Sequence, residues 1–175
     1  MTYIHHPSEH DTSYAAPHGP VLLLSCMDPR LLDDTVEFMN HDNLCNRYDH
    51  VILAGASLGA LGGGLTQYAH WKQTFFDHLE GAYRLHRIEE VYIVEHRGCG
   101  AYSKIFKVAP EFGDTAAELE AEQACHRKYA DLLTVEIENW AKDAGVTLHV
   151  RSFLMNMRGQ VSLLHDSRKL SPPKK

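Results

Sequence analysis

Apolar residues along the chain fall into two alternating kinds of segment. Short continuous runs appear as "PVLLLSC" (20–26), "HVILAGAS" (50–57), "EVYIVEH" (90–96) and "VTLHVRSFLM" (146–155). Unbroken apolar character over so few residues predicts strands buried on both faces, as in a parallel sheet. Between the runs the period lengthens. Leu32, Val36 and Met39 repeat at helical spacing within "LLDDTVEFMNHD". Tyr68, Trp71, Phe75, Leu79 and Ala82 mark a second amphipathic helix starting near Leu65, and a long third helix from Thr115 to Ala144 carries Tyr129, Leu133, Ile137 and Trp140 on one face. Gly145 stands where a helix C-terminal glycine belongs. After the fourth run come "RGQVSLLHD" and a polar "SPPKK" tail.

Strands alternating with helices predict an α/β fold, a mostly parallel sheet of about four strands flanked by helices. Residues 1–19 are polar and proline-punctuated, without an apolar period, and read as an N-terminal arm. Residues 20–170 then form a single α/β domain and 171–175 a flexible tail.

Composition narrows the class of ligand. At 175 residues, 19.8 kDa and 44% hydrophobic residues, one compact domain with a sizeable core is expected. The net charge is -6 and the basic residues are scattered, which argues against nucleic acid and for a small-molecule ligand. No basic-then-apolar leader opens the sequence and no apolar stretch is long enough for a bilayer, so a soluble, cytoplasmic protein with no membrane partner is expected. Cysteines at 26, 45, 99 and 125 form no dense disulfide framework; spaced thiols in a reducing compartment are metal ligands or core residues.

In an open parallel sheet the ligand crevice forms at the carboxyl ends of the strands. Cys26 ends the first run, while "EHRGCG" puts His96 and Cys99 just past the third. Two thiolates and an imidazole make a Cys2His set, one protein ligand short of a closed tetrahedral zinc site, and the open position is what a catalytic metal requires. Taken singly, Cys26 also fits a small buried hydrophobe and His96 a hydrogen-bonded structural residue. The sequence "DPR" directly after Cys26 adds Asp28 and Arg30 at the same crevice, and Pro29 biases Asp28 towards an extended backbone.

Other chemistries fit less well. "GASLGALGGGLT" follows a strand and opens a helix, and it keeps the outer glycine spacing and Thr of a phosphate-binding loop, but Leu65 stands where that loop needs lysine. Close backbone packing between strand and helix is the expected role. Cys26 and Arg30 lie too close in sequence to enclose a cysteine-phosphatase loop. Cys45 and Cys125 are expected in or near the core. Of the thirteen histidines, His5, His6, His10 and His18 lie in the arm, and His70, His78 and His86 rotate round their helix; none of these seven is read as a ligand.

The combination of Cys26-x-Asp28-x-Arg30 with His96-x-x-Cys99 resembles the β-class carbonic anhydrases, and the likeness extends in outline from about Pro20 to Val161. The resemblance implies zinc on Cys26, His96 and Cys99, a catalytic Asp28–Arg30 dyad, and reversible hydration of carbon dioxide to bicarbonate by a hydroxide generated on the metal. Asp28 would orient that hydroxide, and a charge-assisted fork from Arg30 would restrain the carboxylate from ligating the metal itself. The resemblance also implies a homodimer or larger homo-oligomer, with the arm lying over a neighbour. Two features, at three positions, depart from the family pattern. Ile52 and Leu53 occupy the places of a polar pair ahead of Ala54 and Gly55, and Arg97 adds a positive charge beside the metal loop. Carbonyl sulfide or carbon disulfide hydrolysis on the same ligands, or a carbonic-anhydrase-like zinc protein without activity, are the alternative expectations.

Overall fold

The computed structural model describes residues 19–170. The arm, up to residue 18, and the tail, 171–175, lie outside the described residues. Five strands form one sheet in the order β2-β1-β3-β4-β5: β1 Val21–Ser25, β2 Tyr48–Ile52, β3 Glu90–His96, β4 His149–Met155 and β5 Val161–Asp166. The first four are mutually parallel; β5 runs antiparallel to β4 at the edge. The fifth strand comes from "RGQVSLLHD", whose Gly159 sits at φ +75 in the turn from β4, leaving a connection short enough only for a hairpin.

Alternate residues of the central strands feed two cores. Leu22, Leu24, Val91, Ile93 and Val150 face Phe75 and Leu79 of α3 (Ala69–His86) together with Leu133 and Ile137 of α4 (Ala116–Ala144). Val21, Leu23, Tyr92, Val94, Phe153 and Met155 pack with Phe38 and Met39 of α1 (Leu32–His41) on the other side. That two-sided burial is why the runs are continuous, and each such side chain contributes about 1.5–3 kcal/mol on leaving water. The one charged residue inside the fourth run, Arg151, is fully buried and ion-paired with Glu90 at the start of β3.

Three local expectations change. The buried stripe of α1 is Thr35, Phe38 and Met39, preceded by Leu31, whereas Leu32 and Val36 are exposed: the helix is rotated so that its aromatic residue fills the core. In the second run only Val51 of β2 is buried, because β2 is an edge strand that starts at Tyr48 and ends before "LAGAS" turns into the short helix α2 (Ser57–Ala60). Cys45 is exposed, since it lies in the turn after α1, between the left-handed Asn43 and Asn46, while the adjacent Leu44 takes the core position. Cys125 is half-buried against the Ala54–Phe106 cluster. The glycine-rich segment acts in packing: a Cβ on Gly63 would come within 1.9 Å of the Phe106 ring.

Candidate metal centre

β1 and β3 are adjacent and in register, with Ser25 opposite Val94, so Cys26 and His96 leave the sheet side by side. His96 is the last residue of β3 and is 3% exposed. The chain then turns through Gly98, at φ +64, a conformation that L side chains rarely adopt, and brings Cys99 back beneath the strand ends. The Sγ atoms of Cys26 and Cys99 are 3.8 Å apart. Among the described residues, the donor atoms of Cys26, His96 and Cys99 all lie within 4.8 Å of one another.

This donor set fits zinc. Two sulfurs each about 2.3 Å from a tetrahedral ion stand about 3.8 Å apart, the spacing of the two thiols. His96 Nδ1 donates to the Arg97 carbonyl at 2.9 Å, which leaves the lone pair on Nε2, and Nε2 is buried without a hydrogen-bond partner. A buried polar atom aimed at two thiols and otherwise orphaned is what a metal ligand looks like. The contact with Cys99, helped by His96 and by the Gly55 N–H at 3.3 Å, lowers the Cys26 pKa to about 4, while the same contact and burial push the Cys99 thiol up.

Asp28 and Arg30 stand at the mouth. Asp28 has the extended backbone expected before Pro29, with φ -66 and ψ 116, and its Oδ1 accepts the Arg30 backbone N–H at 3.1 Å, opening a 3-10 turn over Pro29–Leu31. Arg30 donates Nε to Oδ1 at 2.8 Å and Nη2 to Oδ2 at 2.6 Å, a two-point fork. The fork holds the Asp28 carboxyl down at about 2. Arg30 Nη2 also reaches the Gly98 carbonyl at 3.2 Å, which ties the dyad to the loop carrying Cys99. Asp28 Oδ2 is 3.9 Å from His96 Nε2. All five residues singled out in the sequence therefore meet at one point, beside a cavity of about 390 Å³ whose walls include Arg30, Tyr102, Pro110 and Phe112.

A second polar layer escaped the sequence reading. The Glu95 carboxylate, fully buried on the opposite face of β3 from His96, accepts from the Ser57 N–H at 2.9 Å, the Ser57 hydroxyl, the Tyr102 hydroxyl at 3.1 Å and His126 Nδ1 at 2.9 Å. Burial alone would raise this carboxyl; His126 and Ser57 outweigh it and hold it low. One turn before His126 on α4, the buried Glu122 accepts the Gly98 N–H at 2.7 Å and Arg97 Nε at 2.8 Å. The available signal was spacing: Glu122 and His126 extend the buried series Ala130, Leu133, Ile137, Ala141 backwards by steps of four. The two departures from the family pattern also find places. Arg97 is ion-paired with Glu122 and Asp114. Ile52 is exposed at the end of β2, while Leu53 packs against the core on the α3 side.

No family model matches the chain. Two curated relatives, the uncharacterized protein RC0076 of Rickettsia conorii and an uncharacterized protein of Rickettsia bellii, are each 32% identical over 145 residues. The matched region covers 83% of this chain and 72% and 81% of those relatives. Among solved structures, a tetrameric β-carbonic anhydrase from the ascomycete Sordaria macrospora matches at 14% identity with a TM-score of 0.52, over 86% of this chain and 82% of that one. The carbonic anhydrase from Glaciozyma antarctica matches at 14% identity and a TM-score of 0.50, over 86% of both chains. The mostly parallel sheet flanked by helices is thus the fold of the β-carbonic anhydrases.

Proposed function

The chain belongs to the family of the uncharacterized Rickettsia proteins, and from that premise and its fold we propose that it is a zinc enzyme interconverting carbon dioxide and bicarbonate. The observation that carries this reading is the convergence of three metal donors within 4.8 Å beside a carboxylate held in a two-point fork. Cys26 and Cys99 as thiolates and His96 through Nε2 would hold zinc, which when bound would supply the Lewis acidity that brings the pKa of water to about 7.

The remaining work falls to the chain's own groups. Arg30 occupies one edge of the Asp28 carboxylate and keeps it ionised, so Asp28 can accept a hydrogen bond from the attacking water and turn its lone pair towards the substrate carbon. The fork and the Gly98 carbonyl also hold Asp28 back from the donor set. Pro110, Phe112 and Tyr102 offer carbon dioxide an apolar wall, and Arg30 offers bicarbonate a cation at the same mouth. Met27, next to Cys26, is 64% exposed and Leu32 53%. Apolar surface beside the site supports a homo-oligomer as the active unit, which light scattering measured alongside activity would test. No helix among the described residues is long and apolar enough to cross a membrane.

The test is elemental analysis of protein purified without added metal, followed by stopped-flow proton release on mixing with carbon dioxide. One zinc per chain is expected, with proton release above the uncatalysed rate, and both lost in Cys99→Ser. Finding no zinc, or zinc undiminished in that variant, sinks the proposal. Sulfide release from carbonyl sulfide or carbon disulfide in place of carbon dioxide hydration would move the substrate to the sulfur analogues.

A further inference from the structure

Between His96 and Cys99 lie two residues, and both are gripped by one side chain from a distant helix. Glu122 is 1% exposed, in the second turn of α4, and it spends both carboxylate oxygens on this loop. Oε1 accepts the Gly98 backbone N–H at 2.7 Å; Oε2 accepts Arg97 Nε at 2.8 Å. Arg97 continues the chain of contacts, donating Nη2 to the Gly113 carbonyl at 3.1 Å and to Asp114 Oδ1 at 3.2 Å. These lie just ahead of the Thr115 capping box that starts α4. The guanidinium is thereby turned away from the Asp28 cavity, whose lining includes Glu122 and Gly98 but not Arg97.

We propose that Glu122 is a positioning residue for the metal centre: its carboxylate fixes the left-handed turn at Gly98 and so aims the Cys99 thiolate at the point defined by Cys26 and His96. The proposal rests on the reading of those three residues as metal ligands. Its physical basis is the geometry of the turn. His96 is fixed by the sheet, but Cys99 is set by the backbone of Arg97 and Gly98, and glycine at φ +64 has no side chain to hold that conformation. An anion accepting the Gly98 N–H supplies the missing restraint, and Arg97 neutralises that anion so that it can stay buried. Arg97 and Glu122 therefore work as one unit: without Arg97 the buried carboxylate loses its charge partner, whereas Arg97 without Glu122 keeps Asp114 and the Gly113 carbonyl.

Glu122→Gln keeps the size but offers one acceptor oxygen to two donors, so either the Gly98 N–H or Arg97 Nε faces an amide N–H, and the charge is lost from both contacts. The double variant Glu122→Leu with Arg97→Met removes both acceptors together with the cation that faces them, and keeps the test open if the single variant folds poorly. Zinc affinity is measured by competition with a chromophoric chelator, and ligand geometry by the thiolate charge-transfer and d–d bands of the cobalt-substituted protein. Far-UV circular dichroism and thermal melting run alongside. The expected result is a folded variant that binds zinc about 10–100-fold more weakly, the range for groups that orient metal ligands, with displaced cobalt bands. Wild-type zinc affinity and an unchanged cobalt spectrum in either folded variant, even with a lower melting temperature, would overturn the proposal by showing that Glu122 serves the fold alone. Failure of the wild-type protein to bind zinc or cobalt would instead remove the metal reading, and the proposal with it.

Discussion

The Arg30 guanidinium meets the Asp28 carboxylate edge to edge, Nε on Oδ1 at 2.8 Å and Nη2 on Oδ2 at 2.6 Å, two residues apart in sequence. Such a contact needs a bend in the backbone, which Pro29 and the 3-10 turn supply. Asp28→Asn keeps the shape and loses the charge; zinc should be retained while carbon dioxide turnover falls by ~10²-fold or more, the usual loss for a positioned proton-transfer or electrostatic partner. Arg30→Lys should also be impaired, because an ammonium cannot form the fork. Stopped-flow rates paired with zinc content decide this, and normal turnover in Asp28→Asn would end the dyad reading.

His126 and Glu95 are both about 1% exposed. His126→Leu leaves a buried carboxylate with one donor fewer, and loss of one hydrogen bond to a buried charged group costs about 1.5–3 kcal/mol. Urea unfolding should register a fall of that size, and adding Glu95→Gln should restore part of it by removing the charge. An unchanged midpoint in His126→Leu would mean that the pair contributes little.

Neighbouring glycines should respond differently to the same substitution. Gly63 has φ +57 and its added Cβ would meet Phe106 at 1.9 Å, so Gly63→Ala combines left-handed strain with overpacking, about 2–5 kcal/mol in all. Gly64 has φ +71 with nothing within 4 Å, so Gly64→Ala carries strain alone, about 1–2 kcal/mol. Thermal melting of the two variants gives the order.

Burial lowers the pKa of His50 below its ordinary 6.5, with Nε2 2.7 Å from the Ser25 hydroxyl. The folded chain then binds this proton less readily than the unfolded chain, so the associated stability is complete above about pH 6.5 and is lost as pH falls through the lower folded value. Between about pH 7 and pH 5 the wild-type melting temperature should decline more steeply than that of His50→Gln. Parallel curves would show that His50 is not the group responsible.

Much of this arrangement was legible in the sequence because the strands are buried on both faces and announce themselves as unbroken apolar runs. Cys26, Asp28, Arg30, His96 and Cys99 were legible because each lies within a few residues of a strand end, where topology alone brings them together. What the sequence concealed depends on rotation and on polar burial. Val36 and Thr35 compete for the inner face of α1, and only packing of Phe38 settles which wins. Glu95 looks like a solvent-facing break in "EVYIVEH", yet four donors from three other elements make its burial tolerable. Such satisfaction is set by partners 7 to 38 residues away, which no local pattern records.

The donors at the site are not equally anchored. Cys26 and His96 issue from β1 and β3, interior strands hydrogen-bonded on both sides, whereas Cys99 hangs on a loop held by two backbone hydrogen bonds, Arg97 N–H to Met155 and Tyr102 N–H to Cys99, and by side-chain contacts from α4 and Arg30. Loops held this way open far more often than interior strands. An ion seated here would be released by peeling, with the loop thiol departing first and the strand-borne pair last, so a chelator would extract it at a pace set by the breathing of four residues rather than by unfolding of the sheet.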